Sequence, residues 1–214
     1  MIQNATGLIL RTRPLTETSL IVHWLTPQFG RLATVAKGAR RAKSPFQGRL
    51  DLFYLADFSF SRSRRSELHT LREVRLQDPR SALRQDLRRL RLAAYAASFV
   101  EQATETETPL PAVFELLTGL LDRLDRQPAS PQLAYAFELK LLNELGLAPD
   151  LDKVRLTSGA KQIIRAMAQG DWPAVLRLRL TPAQQQELRQ FLHGFLIFHL
   201  GRLPGGRAGA LADD

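Results

Sequence analysis

Apolar positions along the chain follow two different periods, and the change comes near residue 78. Before it they lie in short runs. "GLILR" (Gly7–Arg11), "SLIVHWL" (Ser19–Leu25) and "RLATVA" (Arg31–Ala36) are rich in β-branched or aromatic residues, which suits half-buried strands. "TPQFG" (Thr26–Gly30) supplies Pro and Gly for the turn between the second and third runs. In "LDLFYLADFSFS" (Leu50–Ser61), Ala56, Phe58 and Phe60 alternate with Asp57 and Ser59, the period of a strand with one buried face. After the turn "SRSRRS" (Ser61–Ser66), "ELHTLREV" (Glu67–Val74) predicts a fifth strand. Five short strands with basic connections predict a small barrel, and the OB-fold is the nucleic-acid-binding barrel of that size.

Beyond residue 78 the period lengthens to three and four. Asp78-Pro79 reads as an N-cap and first helical position, with Leu83, Leu87, Leu90 and Ala94 as the buried stripe. Pro109 and Pro111 open a second helix carrying Val113, Phe114, Leu117, Leu121 and Leu124. Ser130-Pro131 opens a third, which carries Phe137, Leu141, Leu142 and Leu145 and stops at Gly146. "SGAKQIIRAMAQG" is a fourth, and Asp171 caps a short fifth. Thr181 and Gln184 form a capping box for the last long helix, with Pro182 in its first turn and Gly201 at its end. The fold class is therefore α+β. An N-terminal five-stranded OB-fold barrel spans residues 1–78 and an all-α helical domain spans 79–203. Residues 204–214 have little to bury and are expected to be a disordered tail.

Charge sharpens this division. The net charge of +9 is concentrated at one end. Residues 1–80 carry 14 Lys and Arg against 6 Asp and Glu, whereas residues 81–214 carry 16 against 15. From Thr18 to Leu50 there are six cations and no acid. A field this localised predicts a polyanionic partner, either nucleic acid or an anionic membrane surface. The densest stretch is "VAKGARRAKSPFQGRL", which holds Lys37, Arg40, Arg41, Lys43 and Arg49 among glycines and a proline. Arg62, Arg64 and Arg65 form a second basic turn, and Arg11 and Arg13 lie in the first strand region. These ten residues are the expected contacts to a nucleic-acid backbone. Phe29, Phe46 and Tyr54 are candidate stacking platforms, each also at home in a core.

Catalytic and metal chemistry find no constellation. The chain has no cysteine and four histidines, His23, His69, His193 and His199, none at metal-ligand spacing. No Gly-rich stretch followed by Lys-Ser/Thr forms a phosphate loop. The acidic run "EQATETET" (Glu101–Thr108) reads as a solvated helix end. No catalytic residue, cofactor or metal is therefore expected. No apolar run approaches the ~18 residues of a membrane span, and "MIQNATGLIL" lacks the basic start of a signal peptide. A cytoplasmic protein is expected. Charge and fold alone leave two partners open: DNA, or RNA bound by the same barrel.

Several stretches carry a resemblance. "GLILRTRPLTETSLIVHWLTPQFGRLATVAKGARRAKS", "DLRRLRLAAYAASFVEQ", "FELKLLNELGLAPDL" and "LRLRLTPAQQQELRQFLHGFLIFHLGRLPG" together resemble the RecO family of bacterial DNA repair proteins. The resemblance implies an OB-fold followed by a helical domain, binding of single- and double-stranded DNA, and annealing of complementary strands. It also implies work with RecR, and in many species RecF, in loading recombinase onto strands coated by single-strand-binding protein, whose C-terminal tail some members bind. A nucleoid setting follows from these roles. The family's "KGARR" loop falls on Lys37–Arg41. The chain departs from the family in one respect: many members carry a four-cysteine zinc module after the "LGLAPDL" motif. Here Leu145–Leu151 runs directly into "DKVRLTSGAKQIIRAM", so the module is read as deleted.

Overall fold

The computed structural model describes residues 1–212. Its strands are β1 (Ile2–Pro14), β2 (Leu20–Thr26), β3 (Gly30–Ala36), β4 (Leu55–Ser61) and β5 (Leu68–Asp78). They close into a barrel in the order β1-β2-β3-β5-β4. Only the β3–β5 pairing is parallel, at Ala33–Leu68, Thr34–His69 and Val35–Thr70. This is the five-stranded OB-fold expected from the alternating pattern.

The barrel interior follows that alternation. Ala56, Phe58 and Phe60 point inward from β4, and Leu32, Thr34 and Ala36 from β3. Trp24 stacks on Phe58 with ring centroids 4.0 Å apart, and its indole N–H donates to Thr34 Oγ1 at 2.9 Å. That bond removes the penalty of burying both polar groups. A Cβ at Gly7 would lie 2.8 Å from the Phe58 ring, so only glycine leaves the stacked pair its room. A register shift between Ile9 and Arg11 changes which residues of β1 face outward. Beyond it, Thr12 pairs with buried Val22 while Arg11 and Arg13 pair with His23 and Ile21 on the outer face. The fourth strand begins at Leu55, five residues later than Leu50. Residues 51–54 form a turn instead, with Phe53 at φ 64° and its ring buried.

The helices are α1 (Leu87–Ala103), α2 (Pro111–Arg126), α3 (Pro131–Glu144), α4 (Ser158–Gln169), α5 (Trp172–Arg177), α6 (Pro182–Leu200) and α7 (Arg207–Ala210). Most starts follow the expected caps. The Ser130, Thr157 and Asp171 side chains accept from the third backbone N–H beyond them. The Thr181–Gln184 capping box is complete, and Gly201 ends α6 in the left-handed region. The first helix is the exception. Asp78 ends β5, and its carboxylate accepts the Arg80 N–H at 2.8 Å in a turn. A short 3₁₀ segment (Ser81–Gln85) follows, and Asp86 caps α1 through the Arg88 N–H at 2.8 Å. The buried stripe shifts accordingly. Leu83 is buried, but Leu87 is 60 % exposed and Ala94 is exposed, while Leu92, Tyr95, Ala96, Phe99 and Val100 face inward.

The chain divides into two compact units. One holds Met1–Ser81 with Thr104–Leu121, and the other holds Ala82–Ala103 and the chain from Asp122 onward, the border falling inside α2. The closing segment also departs from expectation. Residues 204–211 are not a free tail: α7 forms there, and Leu211 is buried. Arg207 is buried as well, paired with Glu138 of α3 through Nε–Oε1 at 2.7 Å and Nη2–Oε2 at 3.0 Å. The expected tail residues Asp213 and Asp214 lie outside the described residues.

Candidate nucleic-acid interface

Two connections of the barrel meet beside the end of β3. The β1–β2 turn, residues 15–19, is pinned to the start of the long β3–β4 loop. The Arg40 N–H donates to the Thr18 carbonyl at 3.0 Å, and the Arg40 guanidinium donates to the Thr16 carbonyl at 3.1 Å. The Gly38 N–H reaches Ser19 Oγ at 3.4 Å. Between the two lies a groove of about 440 Å³ with Lys37 and Arg41 on one wall and Leu15, Thr16 and Thr18 on the other.

The loop holds its shape through consecutive turns. Backbone bonds run from Arg41 to Gly38, Ser44 to Arg41, Gln47 to Ser44 and Arg49 to Phe46, each 3.1–3.2 Å. Gly38 and Gly48 take φ of 71° and 69°, a conformation that other residues rarely adopt. Phe46 anchors the middle, 7 % exposed and packed in the barrel core. It is therefore a core residue and no stacking platform. Phe29 and Tyr54 are partly buried against the same core. With the backbone and Phe46 turned inward, Lys37, Arg41 and Lys43 project as exposed cations, as does Arg40.

On the outer face of β1–β2–β3, Arg11 pairs with His23 and His23 with Ala33, while Arg13 pairs with Ile21 and Ile21 with Val35. Arg13 is exposed. The His23 imidazole is held below its usual value by burial first, then by the charges of Arg13 and Arg31. Arg13 and Arg31 thus lie close enough to His23 to add to the effect of burial. Arg31, which the sequence pattern left unremarked, also bonds Thr104 through its guanidinium.

The second basic turn lies between β4 and β5, the connection that leads into the β3–β5 pairing. Arg64 and Arg65 are exposed there. Arg62 is not a free cation: it pairs with Glu107. Glu107 belongs to a strap, residues 104–109, laid across the start of β3. Its N–H donates to the Arg31 carbonyl at 2.7 Å, and Thr106 bridges Arg31. The acidic run is thus no wholly solvated helix end, because one of its carboxylates completes this contact.

Arg49 is set apart from the other loop cations. Its guanidinium donates to the Val74 carbonyl at 3.1 Å, and it lines a groove of about 540 Å³ over β1, β4 and β5. Arg72 and Arg75 share that groove with Asp57 and Glu73. The Asp57 carboxyl is held below the usual range by bonds from Gln77 and Thr6, with Arg75 adding to the effect. The outward cations of β5 were missed in the sequence reading. Arg75 is legible from its place next to inward Val74, but Arg72 is not, because a register shift between Ser59 and Phe60 breaks the alternation that would have turned it inward.

The ten expected contacts therefore fall into three sets. Lys37, Arg40, Arg41 and Lys43 sit beside the β1–β2 turn, adjoining the outer face that carries Arg11 and Arg13. Arg62, Arg64 and Arg65 occupy the β4–β5 turn, and Arg49 occupies the second groove. These two turns and the face of strands 2 and 3 are where OB-folds hold oligonucleotides. Among the described residues, no group of three or more His, Asp or Glu side chains is placed to hold a metal ion.

Comparison with known proteins finds one family over most of the chain. The family model described as recombination protein O N terminal matches residues 1–80, and that of its C terminal matches residues 84–154. A DNA repair protein RecO from Anaeromyxobacter sp. (strain K) is 32 % identical over 231 residues, covering 92 % of this chain and 91 % of that protein. The RecO of Exiguobacterium sibiricum is 32 % identical over 152 residues, covering 71 % of this chain and 60 % of that protein. The RecO of Bacillus pumilus is 29 % identical over 153 residues, with 72 % and 59 % covered. The C-terminal match stops at residue 154, just past the "LGLAPDL" motif where the zinc module is read as absent.

Proposed function

The chain belongs to the RecO family, with a role in DNA repair and recombination, and from that premise we propose that its barrel binds DNA strands through their phosphates and brings complementary strands together. The observation that carries this is the pair of basic connections at the two ends of β3: the β3–β4 loop, with exposed Lys37, Arg40, Arg41 and Lys43, and the β4–β5 turn that leads into the β3–β5 pairing, with exposed Arg64 and Arg65. Arg11 and Arg13 extend the positive surface. Arg49 serves it from the second groove, and Arg62 by way of the turn that it steadies.

Such a surface recognises charge and spacing, not sequence. Each phosphate neutralised by Lys or Arg releases a counterion, so affinity falls steeply with salt. Screening two strands on one surface lowers their repulsion and raises their local concentration, which speeds pairing without nucleotide hydrolysis. In this reading residues 1–78 form the DNA-binding unit and residues 79–203 a platform for partners. Those partners are RecR, RecF and the tail of single-strand-binding protein, and together they place recombinase on coated strands in the nucleoid. The protein acts as a mediator and not as an enzyme.

The test is a titration of the full chain with a single-stranded oligonucleotide at several salt concentrations. With about five phosphates neutralised, the log–log slope is roughly −3.5, so affinity drops about 100-fold between 50 and 200 mM salt. The double variant Arg40→Glu, Arg41→Glu loses affinity for every DNA sequence alike and slows ATP-independent annealing. Salt-insensitive binding, or an unaffected double variant, refutes the proposal. Tighter binding of an RNA of the same sequence favours an RNA-binding or assembly role for the barrel.

A further inference from the structure

A second feature of the barrel unit goes beyond backbone binding. Gln3, Phe29, Phe60, Arg62, His69 and Glu107 are among the residues lining a pocket of about 180 Å³. That is well below the ~300 Å³ at which pockets for drug-sized ligands begin, and it suits one ring system. We infer that this pocket takes a single unstacked base of a bound DNA strand; the inference rests on the DNA-binding reading above.

The walls are apolar and aromatic. Phe29 meets Phe60 edge to face at 5.7 Å, and Phe60 stacks on His69 at 5.3 Å. Two acceptors lie among them. Gln3 Oε1 is buried and accepts no hydrogen bond, an arrangement that is destabilising unless a donor arrives. The other acceptor is the Glu107 carboxylate. The Ser63 N–H donates to His69 Nδ1 at 3.3 Å, so the ring proton sits on Nε2 and is donated to Glu107 Oε1 at 2.8 Å. Arg62 holds Oε2. The carboxylate is thus neutralised and fixed in orientation, with lone pairs to spare. Glu107 does this from φ 54°, a strained conformation for a non-glycine residue and one found at binding sites.

These groups select the occupant. A phosphate or carboxylate would face two acceptors. An apolar side chain would leave Gln3 Oε1 unmet. A base can lay its flat surface on Phe29, meet the perpendicular Phe60 with its edge and offer N–H donors to Gln3 and Glu107. Cytosine, adenine and guanine carry an exocyclic amino group for this, and thymine does not. Arg64 and Arg65, exposed in the same turn as Arg62, supply charge for the flanking phosphates.

The experiment measures the full chain, at one fixed salt concentration, against oligo-dC, oligo-dT and an abasic oligomer of equal length. Oligo-dC should bind roughly tenfold or more tighter than the abasic oligomer, as stacking of even one base allows, and more tightly than oligo-dT. Gln3→Leu should erase the preference for dC over dT, and Phe29→Leu should narrow the gap between dC and the abasic oligomer. Both should leave abasic binding unchanged; Gln3→Leu, which removes an unmet buried acceptor, should not lower the melting temperature, whereas Phe29→Leu should lower it modestly because Phe29 packs on the barrel core. Equal binding of dC and the abasic oligomer overturns the inference while leaving backbone binding intact. So do preferences that survive both variants, which would assign the pocket to a partner protein's side chain. If the wild-type chain binds none of the three, the DNA-binding reading itself fails and the inference with it.

Discussion

Replacing Arg207 by Met should destabilise the helical unit severely, although only seven residues of the sequence follow it. Its guanidinium meets Glu138 in two hydrogen bonds, and Tyr95 O–H donates to the same carboxylate. Glu138 is 0 % exposed and Arg207 5 %. Without Arg207 the carboxylate stays buried, with the phenol as its remaining donor from this trio. Breaking a buried pair in this way costs about 3–5 kcal/mol. At about 2–4 °C per kcal/mol for a chain of this size, the melting temperature should fall by roughly 6–20 °C, read by calorimetry. The double variant Arg207→Met, Glu138→Leu should recover part of that loss, since both charges are gone and only the buried Tyr95 hydroxyl is left without its acceptor. A single variant that loses under about 1 kcal/mol, or a double variant no better than the single, would refute the reasoning. The same cluster sets an alkaline limit. Burial, and after it the Glu138 charge, push the Tyr95 phenol well above its ordinary value. The unfolded chain then loses its Tyr95 proton near pH 10 while the folded chain keeps it, so stability falls by about 1.4 kcal/mol per pH unit above that point. Tyr95→Phe should flatten this slope.

Gly30→Ala should cost about 1–3 kcal/mol in urea unfolding, because residue 30 sits at φ 62° and an added Cβ would collide with the Thr108 carbonyl. Its DNA affinity should change less than its stability; an unaltered unfolding midpoint would show that the strap is not held against β3. At His23, folding lowers the imidazole value and phosphates arriving on the outer face should raise it again, so binding takes up a proton. DNA affinity should therefore rise as pH falls from 7 to 5.5, and His23→Gln should remove that part of the rise; a pH profile unchanged by the variant contradicts the placement of the strand.

The parts of this protein that were legible in its sequence are those set by near neighbours. Alternation of Ala56, Phe58 and Phe60 with polar residues defines β4 because a strand's faces repeat every two residues. Ser130, Asp171 and the Thr181–Gln184 pair announce their helices because a cap acts within three residues. Asp78-Pro79 misled for the same reason. The motif is local, but the pull of β4 on β5 extends the strand through Asp78, and Asp86 takes the capping role. The remaining differences are contacts made across long stretches of chain. Nothing near Arg207 signals Glu138, 69 residues away, so a glycine-rich end reads as a tail. Nothing near Glu107 signals His69 or Arg62, so an acidic run reads as solvated. The same limit applies to the basic residues. Their number and position marked the barrel as the charged unit. Only the closed barrel shows that Arg49 faces a different groove from Lys37 and Arg41, and that Arg62 is committed to a carboxylate. Charge in the sequence thus marks the unit suited to a polyanion, while the pairing of each cation determines which side chains such a partner could meet.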